Sequence, residues 1–199
     1  MSEKRNLRLI YPAPPKESRQ ILPNEVLGMV LFIGSEIMLF AGLISAYTVV
    51  RAGMPVEAWP PPGQPRLPLL LTGFNTALLL ASGFMMWQAG KLAAEDLSKA
   101  IRPVTAALGL GIGFVAIQGV EWARLLADGL SMQASPYGSF FFLIVGAHAI
   151  HAVVAIVLLG IATRRLRAGE LGRDAFTALR AFWYFVVGVW PVLYWQVYL

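Results

Sequence analysis

Residues Val26–Val50 read VLGMVLFIGSEIMLFAGLISAYTVV, twenty-five positions with one charged side chain, Glu36. An α-helix rises about 1.5 Å per residue, and about 20 apolar residues cross the hydrocarbon core of a bilayer. The stretch therefore reads as a membrane span. Glu36 lies roughly 15 Å from its start, near the bilayer centre. A lone carboxylate at that depth is costly, so it is expected to face protein and not lipid. Two readings follow: a protonated carboxyl hydrogen-bonded inside a bundle or at a subunit interface, or a proton-linked or partner-binding acid.

Four further runs carry no charge at all: Leu67–Gly90, Pro103–Val120, Gly129–Thr163 and Ala181–Leu199. None alternates apolar with polar residues as barrel strands do, and helices satisfy their own backbone in lipid. The expectation is an all-α bundle of five transmembrane helices at about 24–51, 67–90, 102–126, 137–165 and 176–199, forming one domain over residues 24–199. With 57% hydrophobic and 14% charged residues, a soluble domain is excluded. Residues 1–25 hold eight charges and four prolines and no apolar core of a signal peptide. Residues 1–23 are thus expected to be an extended cytoplasmic arm. Six prolines in Met54–Pro68 make that connector stiff and non-helical. No loop is long enough for a soluble domain, and there is no cysteine to form a disulfide or supply a thiolate.

Basic residues orient the spans. Lys4, Arg5, Arg8, Lys16 and Arg19 precede the first helix; Lys91, Lys99 and Arg102 lie between the second and third; Arg164, Arg165, Arg167, Arg173 and Arg180 lie between the fourth and fifth. The opposite side has only Arg51, Arg66 and Arg124. Thirteen against three places the N-terminus in the cytoplasm and the C-terminus outside. The net charge of +5 follows from this distribution and not from a nucleic-acid partner.

The other intramembrane polar groups are few. His148 and His151 are spaced i, i+3, on one helix face at about the depth of Glu36. They are the only histidines. Two neighbouring imidazoles complete no zinc tetrahedron, and on one helix they cannot ligate haem from opposite sides. Hydrogen bonding inside the bundle, to Glu36 or Glu121, is the expectation. Glu121 and Gln118 share a face near the outer end of the third span, where Glu121 is able to reach the interface. Asn75-Thr76 and Ser82-Gly83 are expected to bond backbone or neighbouring helices. Gly109…Gly113 and Gly42…Ala46 have the spacing of close helix contacts. Trp183, Trp190 and Trp195 make the fifth span aromatic and fit interfacial belts.

In order, the segments Gly28–Phe40, the Trp59–Pro62 loop, Asn75-Thr76 with Leu80–Gly83, Gln118-Gly-Val-Glu121-Trp122, Tyr137–Phe142 and Gly146-Ala-His148-Ala-Ile-His151 resemble subunit III of haem–copper oxidases, in the short five-helix bacterial form. The likeness covers the chain from about Asn24 onward. One departure stands in the fifth span. The family's Trp-His-Phe-Val-Asp-x-x-Trp pattern here reads Trp183-Tyr184-Phe185-Val186-Val187-Gly188-Val189-Trp190, with Tyr for His and Val for Asp.

The resemblance implies an accessory, non-catalytic subunit in the bacterial cytoplasmic membrane. Such a chain binds no metal or haem itself; haem and copper belong to partner subunits. It packs on subunit I, belongs with subunit II and the other subunits, holds phospholipid, and supports proton uptake and turnover stability. Glu36 matches the family's carbodiimide-reactive carboxyl. Trp59, Asn75, Gln118, Trp122, Trp183 and Trp190 are the expected subunit or lipid contacts. Two rivals remain at this stage. One is an accessory protein of a nitric oxide reductase or another respiratory complex. The other is a stand-alone proton-linked transporter using Glu36, His148 and His151.

Overall fold

The computed structural model describes residues 22–55, 59, 61, 65, 67–133 and 135–198. The expected N-terminal arm lies outside these residues, apart from Leu22 and Pro23. The described residues form five α-helices and no strand: α1 Asn24–Ala52, α2 Leu69–Glu95, α3 Ile101–Ala127, α4 Pro136–Ala168 and α5 Arg173–Leu193. Each is long and apolar enough to cross a membrane, and the chain is a multi-pass membrane protein. A 3-10 turn, Leu97–Ala100, precedes α3, and a π-helical turn, Tyr194–Tyr198, extends α5.

The helices outrun their apolar cores. α2 continues through Lys91 and Glu95, where the Lys99–Glu95 pair at 2.8 Å marks the exposed end. α4 starts at a local N-cap, with the Ser135 hydroxyl accepting from the Gly138 amide at 3.1 Å and Pro136 in the first turn. Both α3 and α4 end with a left-handed glycine. At Gly129 (φ 93°) and Gly169 (φ 73°) the following amides, Leu130 and Glu170, return to the Leu125 and Arg165 carbonyls at 2.9 Å. This satisfies carbonyls that would otherwise end the helix unpaired. Leu130 is fully buried beside the α3 stop.

α5 is the centre of the bundle. Its buried residues Phe176, Leu179, Phe182, Trp183, Val186, Trp190 and Leu193 follow the helical repeat, and the helix contacts α1, α2 and α4. α2 and α3 form the closest pair. α1 lies at the edge, resting on α5 and α4 and burying only Phe40 and Tyr47. Side-chain contacts show that α2 and α5 run antiparallel. Tyr194 Oη donates to the Leu69 carbonyl at 3.0 Å at one end, and Arg173 Nη1 donates to the Ala93 carbonyl at 3.1 Å at the other.

Two expectations about packing need correction. Gly109, Gly113 and Gly42 have no neighbouring atom within 4 Å of a Cβ, so they make no close helix contact in this chain. The close approach is at Gly111, where a Cβ would lie 2.5 Å from the Trp183 ring. Trp183 and Trp190 are 1% and 0% exposed, so they are core residues and not belt residues, whereas Trp195 is 69% exposed. The period of the helix explains the first correction. Gly109 and Gly113 lie about 200° from Gly111 on the wheel, on the face turned away from α5.

Candidate functional site

Glu36, the one acid of α1 beyond its first turn, meets α4. Glu36 Oε2 lies 2.9 Å from His151 Nε2, and His151 Nδ1 lies 2.7 Å from the Ala147 carbonyl one turn back. A carbonyl only accepts, so Nδ1 carries a proton. Nε2 then either accepts from a protonated Glu36 or is itself protonated and donates to a carboxylate. The pair is electrically neutral in both forms. That resolves how hydrocarbon tolerates the carboxylate: a charge-compensated pair avoids most of the cost of a lone ion. Phe40 of α1 and Phe185 of α5 stand edge-on to the His151 ring at 5.4 and 6.1 Å, which leaves both polar side chains about 15% exposed.

His148 does not join this pair. Its ring is 1% exposed and lies on Trp190 with centroids 5.0 Å apart, with Phe114 at 6.2 Å. Neither ring nitrogen has a hydrogen-bond partner among the described residues. The shared face expected from the i, i+3 spacing thus splits into one paired and one unpaired imidazole.

A second polar cluster ties α2, α3 and α5. Thr72 Oγ1 donates to Glu121 Oε2 at 2.8 Å. Asn75 Nδ2 donates to the Phe114 carbonyl at 3.1 Å and to Gln118 Oε1 at 3.3 Å. Gln118 Nε2 donates to the Tyr198 hydroxyl at 3.1 Å, and Trp190 Nε1 donates to Thr76 Oγ1 at 2.9 Å. Glu121 is 1% exposed, so it does not snorkel to the interface as its position near the helix end suggested. Asn75, Gln118, Trp183 and Trp190 are all inside the bundle, so they meet lipid or a partner only through the side chains that cover them. Trp59 and Trp122 are half-exposed. Trp59 sits edge-on to Tyr47 and Tyr137, at 5.6 and 5.3 Å.

Sequence reasoning missed Thr72 and Tyr198. Thr72, Asn75 and Thr76 do form a polar stripe at helical spacing in an otherwise apolar span, which is a legible signal. Tyr198 carries none, because its reach to Gln118 depends on the π-helical turn Tyr194–Tyr198, which has no mark in the sequence. At the departures in α5, Tyr184 Oη accepts from Arg180 Nη2 at 3.4 Å, and Val187 packs directly on Gly83 of α2. Among the described residues no three His, Asp or Glu side chains gather as metal ligands.

The profile of the family described as cytochrome c oxidase subunit III matches residues 20–199. The chain belongs to the cytochrome c oxidase subunit III family. It is 34% identical over 179 residues to cytochrome c oxidase subunit 3 of Synechocystis, covering 86% of this chain and 74% of that one. It is 36% identical over 182 residues to the probable cytochrome c oxidase subunit 3 of Nocardia farcinica, covering 88% of each. The Xenopus laevis cytochrome c oxidase subunit 3 is 33% identical, over 86% of this chain and 67% of its own length. The two clusters are thus the polar interior of a subunit III fold.

Proposed function

We propose that this chain is an accessory, non-catalytic subunit of a haem–copper oxidase complex that reduces oxygen to water and pumps protons. The family match over residues 20–199 carries this reading. The donor set supports it. His151 spends both nitrogens on Glu36 and Ala147, leaving His148 as the one imidazole without a partner, and among the described residues no three His, Asp or Glu side chains gather around it as metal ligands. In this reading haem and copper are held by subunits I and II. This chain packs on subunit I and supports proton uptake and resistance to turnover inactivation, with Glu36 and His151 as a half-buried hydrogen-bonded pair joining α1 to α4.

The exposed apolar surface supports contact with lipid. α3 and α4 enclose an open groove of about 630 Å³ lined by Trp122, Met132, Phe142, Ile150 and Val153, which suits a phospholipid acyl chain. Charge placement supports a cytoplasmic N-terminus in the bacterial inner membrane. Lys91, Lys99, Arg102, Arg164, Arg165, Arg167 and Arg173 crowd one end of the bundle, against Arg51 and Arg124 at the other.

The test is affinity purification of the tagged chain from its native membrane in mild detergent, with an optical spectrum and a census of co-purifying subunits. Haem absorbance together with large copper-bearing subunits is the expected result. A colourless chain migrating alone overturns the reading. Proton flux from the chain reconstituted by itself would point instead to a transporter.

A further inference from the structure

Beyond its first turn, α5 carries one charged side chain, Arg180. It lies two helical turns from Arg173, about 10 Å along the axis. Arg173 donates to the Ala93 carbonyl near the end of α2, whereas the Arg180 guanidinium rests on Gly90, farther into the span. A Cβ on Gly90 would run into Cζ and both Nη atoms, so the glycine is what lets the guanidinium lie against the α2 backbone. A guanidinium stays ionised, and an uncompensated ion is costly away from water. The described residues give it no carboxylate, since their ion pairs are Lys99–Glu95 and His151–Glu36. Nη2 makes only a long contact, 3.4 Å, to the Tyr184 hydroxyl, and Nη1 has no partner among the described residues. The Phe176 and Tyr184 rings flank the cation at 5.6 and 5.7 Å, which holds it without neutralising it.

The seam between α2 and α5 is open on one side. Arg180 and Tyr184 are half-buried there. On α2, Trp87 and Lys91 lie about 60° and 100° around the helix from Gly90, on the other side from Asn75, which bonds α3. Both are exposed, and Lys91 Nζ lies 3.6 Å over the Trp87 ring. Two cations and a phenol hydroxyl thus share one accessible mouth. Toward the middle of the span, Phe84 stacks on Trp87 at 5.4 Å and Leu80 follows, both about half-exposed.

The chemistry of the mouth selects the occupant. It must bring negative charge to two cations, accept hydrogen bonds from a guanidinium, and lay an apolar body along Phe84 and Leu80. A phospholipid phosphate with its acyl chains meets all three conditions, and free phosphate lacks the third. We infer that the α2–α5 seam holds the headgroup of an anionic phospholipid, with its phosphate on Arg180 and Lys91 and an acyl chain along Trp87, Phe84 and Leu80. Tyr184, which stands where the family pattern has histidine, supplies one wall. The site is separate from the apolar groove of α3 and α4. Both of its walls belong to this chain, so the test reads the same whichever complex carries it.

The test uses the tagged chain with whatever it brings from its native membrane. Phospholipids are extracted and counted per chain by mass spectrometry, and Arg180→Gln is expected to lose one anionic phospholipid per chain. After stripping with detergent, phosphatidylglycerol is expected to raise the thermal midpoint of the wild-type chain and to leave that of Arg180→Gln unmoved, while phosphatidylcholine and inorganic phosphate shift neither. Equal lipid counts in the two proteins overturn the inference, and so does an equal shift from inorganic phosphate or phosphatidylcholine. A density map with a partner's carboxylate on Arg180 overturns it as well. Lys91→Gln covers the case in which Arg180→Gln does not assemble. Lys91 is exposed, so the fold is expected to stay intact while retention of the same lipid weakens. An unchanged lipid count and an unchanged response to phosphatidylglycerol in Lys91→Gln count against the site.

Discussion

Glu36 of α1 and His151 of α4 meet at 2.9 Å, 115 residues apart in sequence, and form the one polar link by which the edge helix is held to the bundle among the described residues. Because Ala147 holds a proton on Nδ1, a neutral His151 presents Nε2 to Glu36 as an acceptor. Glu36→Gln keeps a donor for Nε2, so stability is expected to change by less than about 1 kcal/mol, the usual scale of an interhelical hydrogen bond in a membrane. Glu36→Leu strands His151 Nε2 and is expected to cost about 1–3 kcal/mol and to loosen α1. The check is retention of the chain through detergent purification, with proton pumping measured on the same preparation. Lost pumping in a fully assembled Glu36→Gln variant would show that the carboxyl itself, and not the hydrogen bond, is needed.

Glu121 makes a similar case in a drier setting. Its Oε2 accepts from Thr72, and both residues are essentially inaccessible. Thr72→Val removes the donor while keeping the shape. The expected loss is about 1–3 kcal/mol, because the carboxyl oxygen is left without that donor. Thr72→Ser keeps the hydroxyl and is expected to recover most of it. Thermal unfolding of the purified assembly reads both, and equal losses for Val and Ser would refute a hydrogen-bond origin.

Gly111 and Trp183 set how closely α3 approaches α5. A Cβ on residue 111 would sit 2.5 Å from a ring that is 1% exposed and has no room to turn. Gly111→Ala is therefore expected to destabilise by about 1–3 kcal/mol through overpacking. Gly109→Ala, on an open face, is expected to be close to neutral within this chain. Trp183→Phe shortens the ring and is expected to relieve part of the Gly111→Ala defect, a non-additivity that a double-mutant cycle measures. Additive losses would mean that the two residues do not share the contact.

The five spans were legible in the sequence because hydrocarbon imposes one demand on every residue of a span, and uncharged runs record it directly. Which face of a span turns inward was much less legible. In α5 the period of large residues points to the core, yet tryptophan is at home both in a core and at an interface, so Trp183 and Trp190 read as belt residues and lie buried. Glu36 and His151 were each visible as costly groups. Their pairing was not, because two histidines on one face offered the same chemistry and only the packing of α1 on α4 chose between them. Glu121 misled through its place near a helix end. Depth along the axis says nothing about the Thr72 hydroxyl across the α2–α3 contact.

Asp96 provides a pH-dependent prediction outside the membrane spans. Its Oδ1 accepts from the Ser98 amide at 2.9 Å and caps the 3-10 turn Leu97–Ala100. That amide first, then the Ser98 hydroxyl, hold the carboxyl below its ordinary value of 3.8, with Lys99 and Arg173 adding a smaller pull. A depressed carboxylate stabilises the folded turn above the unfolded value and loses that contribution as pH falls through the folded one. The turn is therefore expected to be intact at neutral pH and to fray below about pH 3.8. Hydrogen exchange at the Ser98 amide reads this directly, with protection lost in acid. In Asp96→Ala the protection is expected to be low at every pH. A Ser98 amide equally protected in that variant would show that packing against α2, and not the cap, holds the turn.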